Sequence, residues 1–209
     1  MLEIQNFIKK YPTGFQLEID SLLLKQGVHM IQGENGAGKS TLFKAIAGIH
    51  TFQGKIIFEK ADLKKDPLTF RKSVNYAEAE PTYPEFLSLN DLILFVGKAK
   101  DATADQIEKL KSAFGVTNFM EQPTATYSSG MLKKTSLLLA FLGNPRLIIL
   151  DEPFTTIDRK SQENLIDLIK LQMAKGVNFL ISSHQTAILD LMHFDSVHSI
   201  SKGRIHLGK

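Results

Sequence analysis

One run of residues, Gly33-Glu34-Asn35-Gly36-Ala37-Gly38-Lys39-Ser40-Thr41, has the types and spacing of an anion cradle. Its glycines let the backbone curl until successive N–H groups point at one oxyanion. An apolar stretch with Val28, Met30 and Ile31 precedes it, and Leu42-Phe43-Lys44-Ala45-Ile46-Ala47 follows. That context reads as a buried strand, a tight turn and a helix whose N-terminal N–H groups and dipole face the same anion. Lys39 is placed to reach the terminal phosphates of a nucleoside triphosphate, and the Ser40 hydroxyl to ligate Mg²⁺. A plain helix cap requires neither the lysine nor the hydroxyl, so their order favours a phosphate site.

A second group lies far along the chain. Leu147-Ile148-Ile149-Leu150 is an unbroken apolar run that ends in Asp151-Glu152-Pro153. Such runs are strands of a parallel sheet covered on both faces. Ligands of open α/β sheets bind outside the carboxyl ends of these strands. Asp151 suits the organisation of Mg²⁺ through its water shell, and Glu152 suits a general base acting on an attacking water. His184 ends another apolar run, Phe179-Leu180-Ile181-Ser182-Ser183, where an imidazole can contact a γ-phosphate or hold that water. His29, His50, His193, His198 and His206 show no metal-ligand spacing and read as structural.

The elements that must position these groups follow from the patterning. Residues 2–8 and 15–24 alternate apolar and polar positions as half-buried strands do, around the turn Tyr11-Pro12-Thr13-Gly14. Gly54–Phe58 and Val74–Ala77 read as further strands, and Asp66-Pro67 as an N-cap followed by proline at the first helical position. From about residue 88 to 142 the pattern turns helical. Ser88-x-x-Asp91 and Thr103-x-x-Gln106 resemble capping boxes that open helices over 91–98 and 104–114, and a third helix is expected from Ser129 to about Leu142. A helix over 159–174, a strand over Val177–Ile181, a short helix over Gln185–Met192 and a hairpin with strands Val197–Ile200 and Arg204–Leu207 complete the reading.

A chain of 209 residues, 43% hydrophobic, suffices for one sizeable α/β domain. The charge of +3 is mild and its basic residues are dispersed, so no direct binding of nucleic acid is expected. Cysteine is absent, which removes a disulfide framework and thiolate metal sites and fits a reducing compartment. No secretory signal is visible, and no apolar run approaches the ~20 residues that span a bilayer. The expected location is cytoplasmic, at the inner face of a membrane only through a partner.

These motifs together resemble the ATP-binding cassette of ABC transporters, over nearly the whole chain. Gly33–Thr41 is similar to Walker A and Leu147–Glu152 to Walker B. Tyr127-Ser128-Ser129-Gly130-Met131 stands where that family has its signature motif, Thr155-Thr156-Ile157-Asp158 at the D-loop and His184 at the switch histidine. The resemblance implies that Ser128, Ser129 and Gly130 contact the γ-phosphate of ATP bound to a second protomer, and that Asp158 crosses the same interface. A head-to-tail dimer around two MgATP follows, either a homodimer or a heterodimer with a paralogue. Tyr11 resembles the aromatic that stacks on adenine, with Phe15 as the fallback. The Tyr-Ser-x-Gly-Met form resembles ATPases of exporter-type systems, whose partner is a transmembrane permease subunit.

Three positions depart from the family. Ala79, between Glu78 and Glu80, stands where a glutamine is usual, and either glutamate is a candidate to replace it. In the signature, Ser129 replaces a glycine and Met131 a glutamine.

The expected fold is therefore α/β: a P-loop NTPase core of ABC type with a mainly parallel sheet, an N-terminal antiparallel β portion and a helical subdomain inserted over about 85–142 of a single 1–209 domain. The expected function is an ATP-hydrolysing transporter subunit. Two alternatives remain open on sequence: a non-transport ABC ATPase acting on a soluble assembly or nucleic acid, and a nucleotide-gated interaction module with little catalysis. A single cassette without a long heptad-repeat segment argues against the first, and intact Glu152 and His184 against the second.

Overall fold

The structure, a computed structural model, describes residues 1–184, 189, 192–206 and 208. The helix expected over Gln185–Met192 falls mostly outside these residues, as does Leu207 at the end of the closing strand.

The described strands form one ten-stranded sheet, in the order β5-β4-β1-β2-β10-β9-β3-β8-β7-β6. Its N-terminal side is antiparallel. β1 (Leu2–Lys10) pairs with β2 (Gln16–Leu24) and with β4 (Gln53–Phe58), and β4 pairs with β5 (Ala61–Asp62). The other side is parallel: β9 (Ser196–Ser201), β3 (Val28–Gln32), β8 (Asn178–Ser183), β7 (Leu147–Leu150) and β6 (Val74–Ala77). β10 (Arg204–His206) runs antiparallel to β9 and meets β2 through Arg204 and Glu18, which joins the two sides.

The apolar run of β7 divides between two cores, as a strand covered on both faces requires. Ile148 and Leu150 face one core with Val28, Met30, Phe179 and Ile181. Leu147 and Ile149 face the other with Ile31, Leu180 and the buried residues of β1, β2 and β4. The second core also takes α1 (Lys39–Ile46), through Leu42, Phe43 and Ile46, and α2 (Pro67–Ser73), through Phe70. The first takes α3 (Leu89–Ala99), α4 (Ala104–Phe114), α5 (Ser129–Ala140) and α6 (Arg159–Ala174). No helix among the described residues is long and apolar enough to cross a membrane.

Local signals decide the helix starts. Asp66 accepts from Thr69 N–H at 3.2 Å, and Ser88 and Asp91 close a reciprocal capping box. At Thr103 only half of the expected box forms. Its hydroxyl accepts from Gln106 N–H at 3.2 Å, but the Gln106 side chain is used elsewhere. Its amide donates to Phe141 O at 3.2 Å and Gly143 O at 2.8 Å, and its carbonyl oxygen accepts from Gly143 N–H at 2.9 Å. Asn75 Nδ2 donates to Ala140 O at 2.8 Å and Leu142 O at 2.9 Å. The side chains of Asn75 and Gln106 thus take the carbonyls of Ala140 to Gly143, at and just beyond the end of α5, which ends at Ala140 rather than at Leu142.

Two buried histidines share one serine at the end of the parallel strands away from the Gly33–Thr41 loop. His29 Nε2 donates to Lys25 O at 3.0 Å, so its Nδ1 accepts from Ser196 Oγ at 2.7 Å in the neutral ring. Ser196 Oγ then accepts from His198 Nε2 at 2.7 Å, and His198 Nδ1 is buried without a partner. Burial, then the neighbouring His29, holds His198 below its ordinary 6.5. The unfolded chain thus takes up a proton that the fold resists, and stability present above pH 6.5 is lost as the pH falls through the folded value. The melting temperature is expected to drop between pH 7.5 and 5, and His198→Gln to flatten part of that drop. An unchanged pH slope in the variant would remove His198 as its source.

Candidate active site

β3, β8 and β7 are adjacent and parallel, so the residues that follow their carboxyl ends meet on one side of the sheet. The phosphate loop follows β3, His184 follows β8 and Asp151-Glu152 follows β7. Groups more than a hundred positions apart in sequence thus line one cleft of about 800 Å³.

Gly38 enters α1 in the left-handed region at φ 116, and a Cβ there would stand 3.1 Å from the Phe15 ring. Both facts favour glycine. Lys39, only 6% exposed, donates to Gly33 O at 2.7 Å and Glu34 O at 3.2 Å, across its own loop. Its ammonium lies 3.4 Å from Glu152 Oε1, a buried oxygen without a hydrogen bond. The other Glu152 oxygen lies 3.0 Å from His184 Nδ1. Glu152 is itself held at φ 46, a left-handed conformation uncommon for a side-chain-bearing residue.

Asp151 is fully buried. Its Oδ1 accepts from Ser182 Oγ at 2.5 Å and its Oδ2 from the Tyr76 hydroxyl at 3.2 Å. Burial, then the Asp151 charge, pushes the Tyr76 phenol far up, so it stays a donor. Ser182 Oγ also accepts from Glu152 N–H at 2.9 Å, so one serine orients both carboxylate residues. Lys44 and Glu78 pair at 3.2 Å on the cleft wall, next to Ala79 and Glu80. At the far end, Tyr11 and Phe15 line the cleft with their rings 6.1 Å apart. The Tyr11 hydroxyl bonds His50 Nδ1 at 3.1 Å and Thr41 Oγ1 at 3.4 Å.

A glycine loop with its lysine, two carboxylates and a histidine in one cleft form a phosphoryl-transfer arrangement. Comparison with known proteins gives it a family: the profile described as ABC transporter matches residues 18–155. The chain belongs to the ABC transporter family. It is the ATP-binding, ATP-hydrolysing subunit of such a transporter.

Its relatives include the cytochrome c biogenesis ATP-binding export protein CcmA of Legionella pneumophila (strain Paris). That protein is 30% identical over 173 residues, covering 82% of this chain and 86% of the relative. The lantibiotic transport ATP-binding protein SrtF of Streptococcus pyogenes is 31% identical over 212 residues, covering 100% of this chain and 90% of the relative. A solved ATP-binding subunit of an ABC transporter superposes with a TM-score of 0.86 at 28% identity, over 99% of this chain and 90% of that one. The fold is also that of the dimeric cassette MJ0796 bound to ADP and Pi, with a TM-score of 0.82 at 18% identity over 100% of this chain and 98% of that one.

In this ABC transporter ATPase, Ser128, Ser129 and Gly130 do not line this cleft. Ser128 and Ser129 are exposed at the start of α5. The Ser128 hydroxyl accepts from Met131 N–H at 3.2 Å, and Ser128 N–H donates to Met131 Sδ at 3.5 Å. The methionine that replaces the family's glutamine thus serves the cap as a weak acceptor. Gly130 packs so closely that a Cβ would come within 2.8 Å of Thr156 O, which ties this turn to Thr155–Asp158. Asp158 caps α6, accepting from Ser161 N–H at 2.9 Å, and pairs with Lys134 at 2.7 Å. The Lys134 hydrogen bond, then those of Ser161, hold the Asp158 carboxyl far below the usual carboxylate range.

Three residues around the cleft escaped the sequence reading. Ser182 and Tyr76 hold Asp151, and Lys133 is fully buried behind it. Ser182 interrupts an apolar strand, and Lys133 stands three and four positions before the buried Ser136 and Leu137 of the same helix. A polar residue on a buried stripe was the signal available for Ser182 and Lys133.

Proposed function

We propose that the cleft binds MgATP with its phosphates in the Gly33–Thr41 loop. Lys39 and the amides of Asn35, Gly36, Ala37 and Gly38 bind the phosphates. Tyr11 stacks on the base, Glu152 takes a proton from the attacking water, and His184 orients that water or the γ-phosphate. Two chains close head to tail, so that Ser128, Ser129, Gly130 and Asp158 of each meet the nucleotide of the other. The helices over about 85–142 act as a subdomain that carries this trans surface. The observation that supports the reading most is the Lys39–Glu152–His184 contact chain, at 3.4 and 3.0 Å. A phosphate-binding cation and a base lie side by side, with the Glu152 Oε1 lone pair unbonded.

The residues present suit Mg²⁺. Ser40 and Asp151 supply hard oxygens to the cleft, and among the described residues no group of three or more His, Cys, Asp or Glu could hold a metal by itself. Mg²⁺ is commonly held by one or two protein oxygens plus phosphates and water, not by an all-protein cage. Both Asp151 oxygens already accept hydroxyl bonds, which favours contact through water. When bound, the ion neutralises phosphate charge.

The chain would work at the cytoplasmic face of a membrane, through an exporter-type permease. Phe86, Leu94 and Phe95 are 81%, 65% and 76% exposed, a cost for a surface without a partner. A groove of about 330 Å³ nearby is lined by Ile49, Arg71, Pro81, Tyr83, Val96 and Lys100. Tyr76 and Glu78 line it as well; Glu78 also lines the cleft, and the Tyr76 hydroxyl bonds Asp151, which lines it too. The names of two relatives, a cytochrome c biogenesis ATP-binding export protein and a lantibiotic transport ATP-binding protein, support an exporter.

The test is capture of the tagged Glu152→Gln chain from gently solubilised membranes with MgATP. A co-purifying polytopic membrane protein, lost when Phe86 and Phe95 are replaced by serine, is the expected result. A soluble assembly alone would move the reading to a non-transport ATPase.

A further inference from the structure

Lys133 is wholly buried in α5, and no step described above uses it. Its ammonium carries three N–H donors, and each has a backbone carbonyl: Glu78 O at 2.9 Å, Ala79 O at 3.1 Å and Asp151 O at 2.7 Å. A buried ammonium is costly unless its donors are all satisfied, and here geometry satisfies them. Burial lowers the Lys133 pKa to about 8, while the nearby Asp151, Glu152, Glu80 and Glu78 charges act to keep it protonated.

The three carbonyls belong to two separate parts of the site. Glu78 and Ala79 line the cleft, and Glu78 also lines the groove proposed for the membrane partner. Asp151 O belongs to the peptide that leads into Glu152, so holding this oxygen holds the peptide on which the Glu152 backbone, at φ 46, turns. α5 begins at the exposed Ser128-Ser129-Gly130 turn. One turn after Lys133, Ser136 Oγ accepts from Glu78 N–H at 3.0 Å, so α5 grips Glu78 by both its carbonyl and its amide.

We infer that Lys133 is a positioning residue for hydrolysis: its ammonium locks α5 and the Glu78–Ala79 segment to the Asp151–Glu152 turn, so that Glu152 is aimed only when all three are in register. The inference rests on Glu152 acting on the attacking water. A neutral side chain of similar size fills the space but leaves three carbonyls unpaired and the turn free to rotate. Misplacement by about 1 Å can cost on the order of a hundredfold in rate.

The chain has no cysteine, so Lys133→Cys introduces a single thiol. Alkylated in denaturant with bromoethylamine and refolded, it regains an ammonium at nearly lysine length; propylated, it has the same reach without charge. Refolded wild type and Lys133→Met complete the set. Lys133→Met and the propylated chain are expected to bind ATP within about threefold of wild type and to keep KM, while kcat falls about thirtyfold. The aminoethylated chain is expected to recover at least half of the wild-type kcat.

Turnover of Lys133→Met within threefold of wild type would overturn the inference, and so would equal recovery by propylation and aminoethylation. If only the forms with an ammonium fold, the lysine serves stability alone, and the inference fails on that ground. Glu152→Gln assayed in parallel separates the two readings: wild-type turnover there removes the role of Glu152 itself, whatever Lys133 does.

Discussion

Glu152→Gln is expected to lower steady-state ATP hydrolysis by about a thousandfold, within the range usual for loss of a positioned general base. The substitution keeps the shape and removes the charge and basicity. Glu152 Oε1 is buried, carries no hydrogen bond and points at the Lys39 ammonium 3.4 Å away. This attraction partly occupies the lysine proposed to bind the phosphates of ATP. The amide weakens it, so ATP affinity should hold or rise while turnover collapses. That opposite movement distinguishes loss of a base from damage to the loop. The checks are phosphate release under saturating MgATP and equilibrium binding of a fluorescent ATP analogue, with ultracentrifugation to detect an ATP-dependent dimer. Turnover above about a tenth of wild type would show that another group activates the water.

Lys39→Ala has the second largest expected effect, and it falls on binding. Charge-assisted hydrogen bonds contribute about 1.5–3 kcal/mol each, so ATP affinity should fall roughly 10- to 150-fold. The same side chain braces its loop through Gly33 O and Glu34 O. Loss of this brace adds disorder to the empty loop, and the affinity loss should reach the upper part of that range. ADP should weaken less than ATP, because the lysine serves the terminal phosphates most. Titration calorimetry with both nucleotides checks this. Equal weakening of the two would mean that Lys39 supports the loop without contacting the γ-phosphate.

Much of the site was legible in the chain because local chemistry leaves local signatures. The strand–turn–helix around Gly33–Thr41 needs its glycines, lysine and hydroxyl in one order. The run before Asp151 is apolar without alternation because both faces of β7 are covered. Asp66 and Ser88 cap as read because capping is a contact over three residues. Thr103 failed in part as a capping box because Gln106 found stronger demand in the carbonyls after α5, some thirty-five residues away.

What the chain by itself determined, then, is the strand–turn–helix around Gly33–Thr41 and the buried strands that lead to Asp151-Glu152 and to His184. Only the tertiary structure decided how these groups meet. Sheet order places β3, β8 and β7 side by side, an adjacency that strand patterns do not encode because pairing is a long-range choice. Lys133, Ser182 and Tyr76 acquire their contacts only through that packing, with hydrogen bonds spanning 18 to 75 positions in sequence. A buried lysine looks like any other lysine in sequence; burial and three carbonyls make it part of the site.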